Sequence, residues 1–137
     1  MLVDSNIIIY AAKPEYSFLL RFIEEHAPRA SAISYVEVLG YHKLALPDKE
    51  RFESFFREAE VIEITDCIIR QACALRQLRK MSVADAIIAA TVLEAGITLA
   101  TRNTADFNWI PDLRLLNPFD AVNTMAAQLP SKGPATK

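Results

Sequence analysis

Ser82-Val83-Ala84-Asp85-Ala86-Ile87-Ile88-Ala89-Ala90-Thr91, carried on through Gly96 to Ile97-Thr98-Leu99-Ala100-Thr101-Arg102-Asn103, is the stretch on which the fold turns. A serine followed three residues later by an aspartate has the form of a capping box at a helix start. The Ala- and Ile-rich run behind it predicts a buried helix, and Gly96 supplies the left-handed residue that closes it. Ile97 to Ala100 then reads as a strand, and the chain turns polar from Thr101 to Asp106.

The same alternation extends to both sides. Met1-Leu2-Val3 is a short buried strand that runs into the polar turn Asp4-Ser5-Asn6, and a helix over Ile7 to Ala12 stops before Pro14. Helical spacing of Phe18, Leu19, Phe22 and Ile23 marks a segment from Glu15 to His26, ended by Pro28. Ala30 to Ile33 is a short strand and Ser34 to about Lys43 a helix. After Pro47-Asp48 another helix carries Phe52, Phe55 and Phe56 on one core-facing side. Val61 to Ile64 alternates weakly, Thr65-Asp66 caps a long helix from Cys67 to about Lys80, and Leu113 to Leu116 gives a last strand before Asn117-Pro118. Strands separated by helices predict an α/β fold with a short central parallel sheet flanked by helices on both sides. Residues 1–123 form the expected domain, and residues 124–137, without periodicity, a flexible tail.

Composition bounds the function. With 137 residues, 52% hydrophobic and 23% charged, the chain suits one domain with a packed core. It contains no run of about 20 apolar residues, and the apolar start meets Asp4 at once, unlike a signal peptide; the expectation is a cytoplasmic protein with no membrane partner. A net charge of −2 excludes binding nucleic acid by bulk charge alone, so a phosphate partner would be held locally. Cys67 and Cys73 fit neither a local disulfide nor a zinc pair and are expected to be buried and inert. His26 and His42 share no metal-ligand spacing. Of the three glycines none precedes a Lys-Ser or Lys-Thr pair, which disfavours a nucleotide triphosphatase.

Four acids stand out by placement: Asp4 at a strand end, Glu37 and Asp85 near helix starts, and Asp106 after the last inner strand. Ligands of parallel sheets bind outside the carboxyl ends of the strands, where all four would meet. Carboxylates gathered without a basic partner repel one another unless protons or a hard cation neutralise them, and Mg²⁺ or Mn²⁺ suits an all-oxygen set. Such ions cleave phosphodiesters through an activated water, with no protein nucleophile. Each acid also has a plain structural reading. Ser34-x-x-Glu37 and Ser82-x-x-Asp85 are both capping-box patterns, Asp4 could cap the first helix, and Asp106 could start a turn. Arg76, Arg79 and Lys80 suit RNA phosphates or simply a solvated helix end. Arg102, in the polar stretch beside the proposed site, is the better phosphate candidate, with a surface ion pair as its alternative.

Leu2-Val3-Asp4-Ser5-Asn6, Ser34-Tyr35-Val36-Glu37-Val38-Leu39, Ala84-Asp85-Ala86-Ile87-Ile88-Ala89-Ala90-Thr91 and Ala100-Thr101-Arg102-Asn103-Thr104-Ala105-Asp106-Phe107 together resemble the PIN-domain endoribonucleases, VapC-type and FitB-like toxins above all, over residues 1–120. The resemblance implies a PIN-like α/β fold and a Mg²⁺- or Mn²⁺-dependent ribonuclease in which Asp4, Glu37 and Asp85 hold the metal and Asp106 adds a fourth catalytic acid. Ser5, Asn6, Thr101, Arg102 and Asn103 would shape the pocket or meet substrate. Many relatives carry an aspartate where this chain has Asn103, a change expected to weaken a second metal site. The resemblance further implies an RNA substrate, a homodimer, and a cognate antitoxin lying in a groove partly formed by the Glu15–His26 segment. The alternative reading is a PIN-fold module that binds RNA or protein without cutting. A covalent phosphoryl acceptor at Asp4 is disfavoured, because no second acid lies within two residues of it.

Overall fold

The computed structural model describes residues 1–120, so the expected tail over residues 124–137 lies outside the described residues. In chain order the elements are β1 (Leu2–Val3), α1 (Ser5–Ala11), α2 (Phe18–His26), β2 (Ala30–Ser31), α3 (Ala32–Leu39), α4 (Leu46–Glu58), β3 (Val61–Ile62), α5 (Asp66–Leu78), α6 (Val83–Ala95), β4 (Thr98–Ala100) and β5 (Arg114–Leu116). Short 3₁₀ turns occupy Pro14–Tyr16 and Thr104–Asp106.

Every strand pairing is parallel: β1 with β4, β4 with β5, and β2 with β3. A bridge between Leu2 and Arg29 joins the two groups, giving the spatial order β3-β2-β1-β4-β5. The chain therefore builds outward from β1 on one side through β2 and β3, then returns to build on the other side from β4. The order reverses between β1 and β4, and the carboxyl ends of those strands form the crevice where ligands of open parallel sheets bind.

Side chains alternate across the sheet, so neighbouring residues of β1 enter different cores. Leu2 packs with Ile68, Ala72, Leu75, Ile88 and Leu99 under α5 and α6. Val3 packs with Ile7, Leu19, Val38, Phe52 and Phe56 under α1 to α4. These two cores realise the expected layers of helix on both faces. Complete burial of Leu2, Val3 and Leu99, at about 2 kcal/mol for each large aliphatic side chain, fixes the ends of β1 and β4 relative to each other.

Several boundaries shift from the sequence expectation. Ser31, not Ser34, caps α3, its hydroxyl accepting from Ile33 N at 3.2 Å. The Glu15–His26 segment divides into a 3₁₀ turn and α2, which ends with Ala27 in the left-handed region at φ 42°. Cys67 and Cys73 are exposed rather than buried, because α5 buries the stripe Ile68, Ala72 and Leu75 and both cysteines fall off it. Among the described residues no helix is long and apolar enough to cross a membrane.

Candidate active site

Asp4 follows β1 directly and Thr101 follows β4 directly, so parallel pairing of the two strands sets them side by side. Asp4 N donates to Ala100 O at 2.9 Å, which continues the ladder to the crevice. The Asp4 carboxylate is buried and fully engaged on one side: Oδ1 accepts from Ser5 N and Oδ2 from Thr101 Oγ1, both at 2.8 Å. The capping reading of Asp4 is thus correct, and it does not exhaust the carboxylate, which keeps lone pairs on both oxygens.

The Thr101 hydroxyl is the hub of this corner. It donates to Asp4 and accepts from Asn103 N at 3.0 Å and from Asn6 Nδ2 at 3.5 Å, which uses its one proton and both lone pairs. Asn6 Oδ1, on the same amide, is shielded from solvent and has no hydrogen-bond partner.

Glu37 arrives from α3. Ser34 and Glu37 are three residues apart and so share a helical face, which α1 meets at Ser5. Ser5 Oγ lies 2.6 Å from Glu37 Oε1 and 2.8 Å from Ser34 Oγ. A hydroxyl has one proton, so Ser5 donates it to the carboxylate and accepts from Ser34. Because Ser34 sits inside α3 and not at its start, the capping-box reading of Ser34-x-x-Glu37 is wrong, and Glu37 is oriented by Ser5 instead. Ser34, fully buried, is a supporting residue that the sequence reading assigned to the helix start. Its three-residue spacing from Glu37 was the available signal.

Asp85 lies in the first turn of α6. Ser82 caps that helix by accepting from Asp85 N at 3.1 Å. Among the hydrogen bonds of the described residues the reciprocal bond from the Asp85 carboxylate to the backbone at Ser82 is absent, so half of the capping box forms and the carboxylate remains available. Asp106 ends the 3₁₀ turn after β4 and is exposed, as are Arg102 and Asn103.

Electrostatics tie the four acids together. Burial raises the Asp4 pKa to about 6, against the hydrogen bond from Thr101 that lowers it, and the charges of Asp85 and Glu37 raise it further. Burial also raises the Asp85 carboxyl above its ordinary value, with the charges of Asp106 and Glu37 adding to it. Asp106 thus joins the cluster through Asp85. The ion pairs among the described residues, Arg29–Glu60, Arg51–Asp48 and Arg70–Asp66, leave all four acids unneutralised. The acids face one another without touching: among the described residues no three Asp, Glu, His or Cys side chains are gathered closely enough to hold a metal ion as they lie.

Arg102 makes no ion pair among the described residues. Its guanidinium carbon lies 4.1 Å from the Phe119 ring centroid, 5.0 Å from that of Tyr10 and 5.6 Å from that of Tyr16. This aromatic bed escaped the sequence reading, since Phe119 is joined to Tyr10 and Tyr16 only by the tertiary fold. The α2 segment, together with α1 and α4, lines a groove of about 830 Å³ walled by Ile8, Ala11, Leu20, Ile23, Phe52 and Phe55.

A parallel sheet that reverses at β1 and β4, with acids converging from beyond the ends of β1 and β4, from the later half of α3 and from the start of α6, agrees with the family match. The PIN domain family model matches residues 1–113, and the chain belongs to that family. The chain is similar to one in a toxin–antitoxin complex from Klebsiella pneumoniae, with 30% identity and a TM-score of 0.69, covering 85% of this chain and 96% of that one. Two further solved structures share the fold. VapBC2 from Rickettsia felis, bound to a DNA fragment from its promoter, matches at 22% identity and TM-score 0.69, over 85% of this chain and 96% of that one. FitAcB from Neisseria gonorrhoeae matches at 23% identity and TM-score 0.68, over 86% of this chain and 97% of that one. A comparison with curated proteins finds no match in sequence.

Proposed function

We propose that this chain is a divalent-metal-dependent endoribonuclease and the toxin member of a toxin–antitoxin pair. The observation that carries the reading is Asp4: a buried carboxylate at the sheet's reversal point, with its pKa raised to about 6, Asp85 and Glu37 in its field and, among the described residues, no basic partner. A buried, unpaired carboxylate with other acids beside it is costly to a fold, and its placement at the ligand-binding edge gives the cost a purpose.

The donors suit Mg²⁺ or Mn²⁺, since all are oxygens and their charge is in excess. Asp4, Glu37 and Asp85 would hold the ion, with Asp106 as a further acid and Asn103 in place of an aspartate that would strengthen a second site. Glu37 and Asp85, less buried than Asp4, would have to swing inward to grip it. When bound, such an ion activates water for attack on a phosphodiester and stabilises the charge that develops on the phosphoryl oxygens. The chain's own residues prepare the site. Thr101 and Ser5 N fix Asp4, Ser5 Oγ aims Glu37, and the Asn6 amide supplies an unused oxygen beside Thr101.

The partner proposal rests on the Klebsiella pneumoniae relative, whose structure is a toxin–antitoxin complex. The groove between α1, α2 and α4 offers an apolar floor for an antitoxin segment. A homodimer acting in the cytoplasm completes the proposal. A second reading, a module that binds RNA or protein without cutting, draws support from Asn103 and from the acids' present separation.

Incubation of wild-type protein and Glu37→Gln with cellular RNA, in Mn²⁺ and in EDTA, separates the two. The nuclease reading predicts cleavage by wild type in Mn²⁺ alone. Equal cleavage by the variant, or cleavage in EDTA, would overturn it.

A further inference from the structure

Arg102 adjoins the hub of the acid cluster, since it follows Thr101, the residue that holds Asp4. Its side chain is exposed, yet it is not loose. Phe119 lies beneath the guanidinium at 4.1 Å, and Tyr10 and Tyr16 flank it at 5.0 and 5.6 Å. These rings buttress one another edge to face, with Tyr16 and Phe119 centroids 5.2 Å apart and Tyr10 and Phe119 centroids 5.7 Å apart. Phe18 closes the back of the cluster, 5.2 Å from Phe119. Lys13 adds a second cation, its Nζ 5.7 Å from the Tyr10 centroid.

The chemistry of this arrangement is specific. A guanidinium laid on an aromatic ring keeps its outer face and its in-plane N–H donors, because the stacking uses neither. No acid competes for those donors: among the described residues Arg102 is in no ion pair, and its polar neighbours are the Tyr16 and Tyr10 hydroxyls, which leave donors of the five-donor guanidinium to spare. A planar cation with a free face and free donors suits a nucleobase above it and a phosphate at its edge, which is how unstacked bases of single-stranded RNA are held on Arg planes. Two cations beside four acids also supply the local phosphate attraction that a chain of net charge −2 lacks overall.

We propose that Arg102, held over Phe119 between Tyr10 and Tyr16 and assisted by Lys13, is a nucleotide subsite for single-stranded RNA. It would stack one base and bind one phosphate next to the catalytic acids. The proposal rests on the nuclease reading for its substrate, and its test is read by binding alone, so the two fail separately.

The test uses the full chain in EDTA with a fluorescein-labelled 2′-O-methyl oligouridine hexamer and its abasic counterpart, followed by fluorescence anisotropy across a salt series. Wild type should prefer the oligouridine. Arg102→Gln should weaken oligouridine binding about tenfold and reduce the salt slope by about one. Arg102→Lys should restore the salt slope without restoring the preference over the abasic probe. Phe119→Leu, which leaves both cations in place, should also lose that preference, and Arg70→Ala controls for a lost surface charge. Circular dichroism confirms folding of each variant. An affinity and salt slope unchanged in Arg102→Gln overturn the proposal. So would Arg102→Gln losing affinity for a partner protein while keeping it for the hexamer. Loss of Mn²⁺-dependent cleavage in wild type, with the binding pattern intact, would refute the nuclease reading and leave the subsite standing.

Discussion

Removing the charge of Asp4 should stabilise the metal-free protein at neutral pH. The carboxyl titrates at about 6 in the fold against 3.8 as its ordinary value, so between those pH values the folded chain keeps a proton that the unfolded chain has lost. Stability therefore falls as pH rises through that window, and the whole penalty is present above about 6. At about 1.4 kcal/mol for each pH unit, the displacement corresponds to about 3 kcal/mol. Asp4→Asn abolishes the charge and keeps the shape. Its Oδ1 still accepts from Ser5 N, and its amide nitrogen faces Thr101 Oγ1, whose proton would then need another acceptor; a turned Asn6 amide brings its unpartnered oxygen to that place. Allowing about 1 kcal/mol for an imperfect exchange, the net gain is about 2 kcal/mol at pH 7.5, or about 7 °C in melting temperature. The assay is thermal unfolding in EDTA from pH 4 to pH 8. The readout is the difference between the two proteins, since other carboxylates titrate alike in both. The difference should open with rising pH, vanish at about pH 4.5 and reverse slightly by about pH 4. A variant no more stable than wild type at pH 7.5, or a difference independent of pH, would refute the reasoning.

Two other substitutions test the frame. Thr101→Val is nearly isosteric but leaves Asp4 Oδ2 without its donor and Asn103 N and Asn6 Nδ2 without their acceptor, so it should destabilise by about 3 kcal/mol, with Thr101→Ser restoring most of the loss in urea unfolding. Gly96 closes α6 at φ 66° with open space where a Cβ would stand; Gly96→Ala should therefore cost about 1 kcal/mol through backbone conformation alone, while RNA cleavage is unchanged.

Sequence periodicity carried the architecture well where burial is extreme. The α6 run is apolar on most faces because α5, α3 and β4 pack around it, and Gly96 marks its end where expected. It carried less where the deciding contacts are tertiary. Ser34 and Ser82 precede an acid at the same spacing, yet Ser82 caps its helix and Ser34 does not, because Ser31 lies one turn earlier and Ser5 of α1 presents Ser34 with a better partner. The exposure of Cys67 and Cys73 follows from which stripe of α5 meets the sheet, a choice made by Ile68 and Leu75. In sequence Arg102 reads as a phosphate contact or half of a surface ion pair. Its aromatic bed brings residue 119 to residues 10 and 16, a contact that no local pattern announces.

The central claim, that these acids exist to hold a catalytic dication, is tested most directly by calorimetric titration of Mn²⁺ into wild type and Asp85→Asn, with cleavage of total cellular RNA followed in the same buffer. The account predicts binding and cleavage in wild type and the loss of both in the folded variant. A wild-type protein that takes up no Mn²⁺ and cuts no RNA would contradict it.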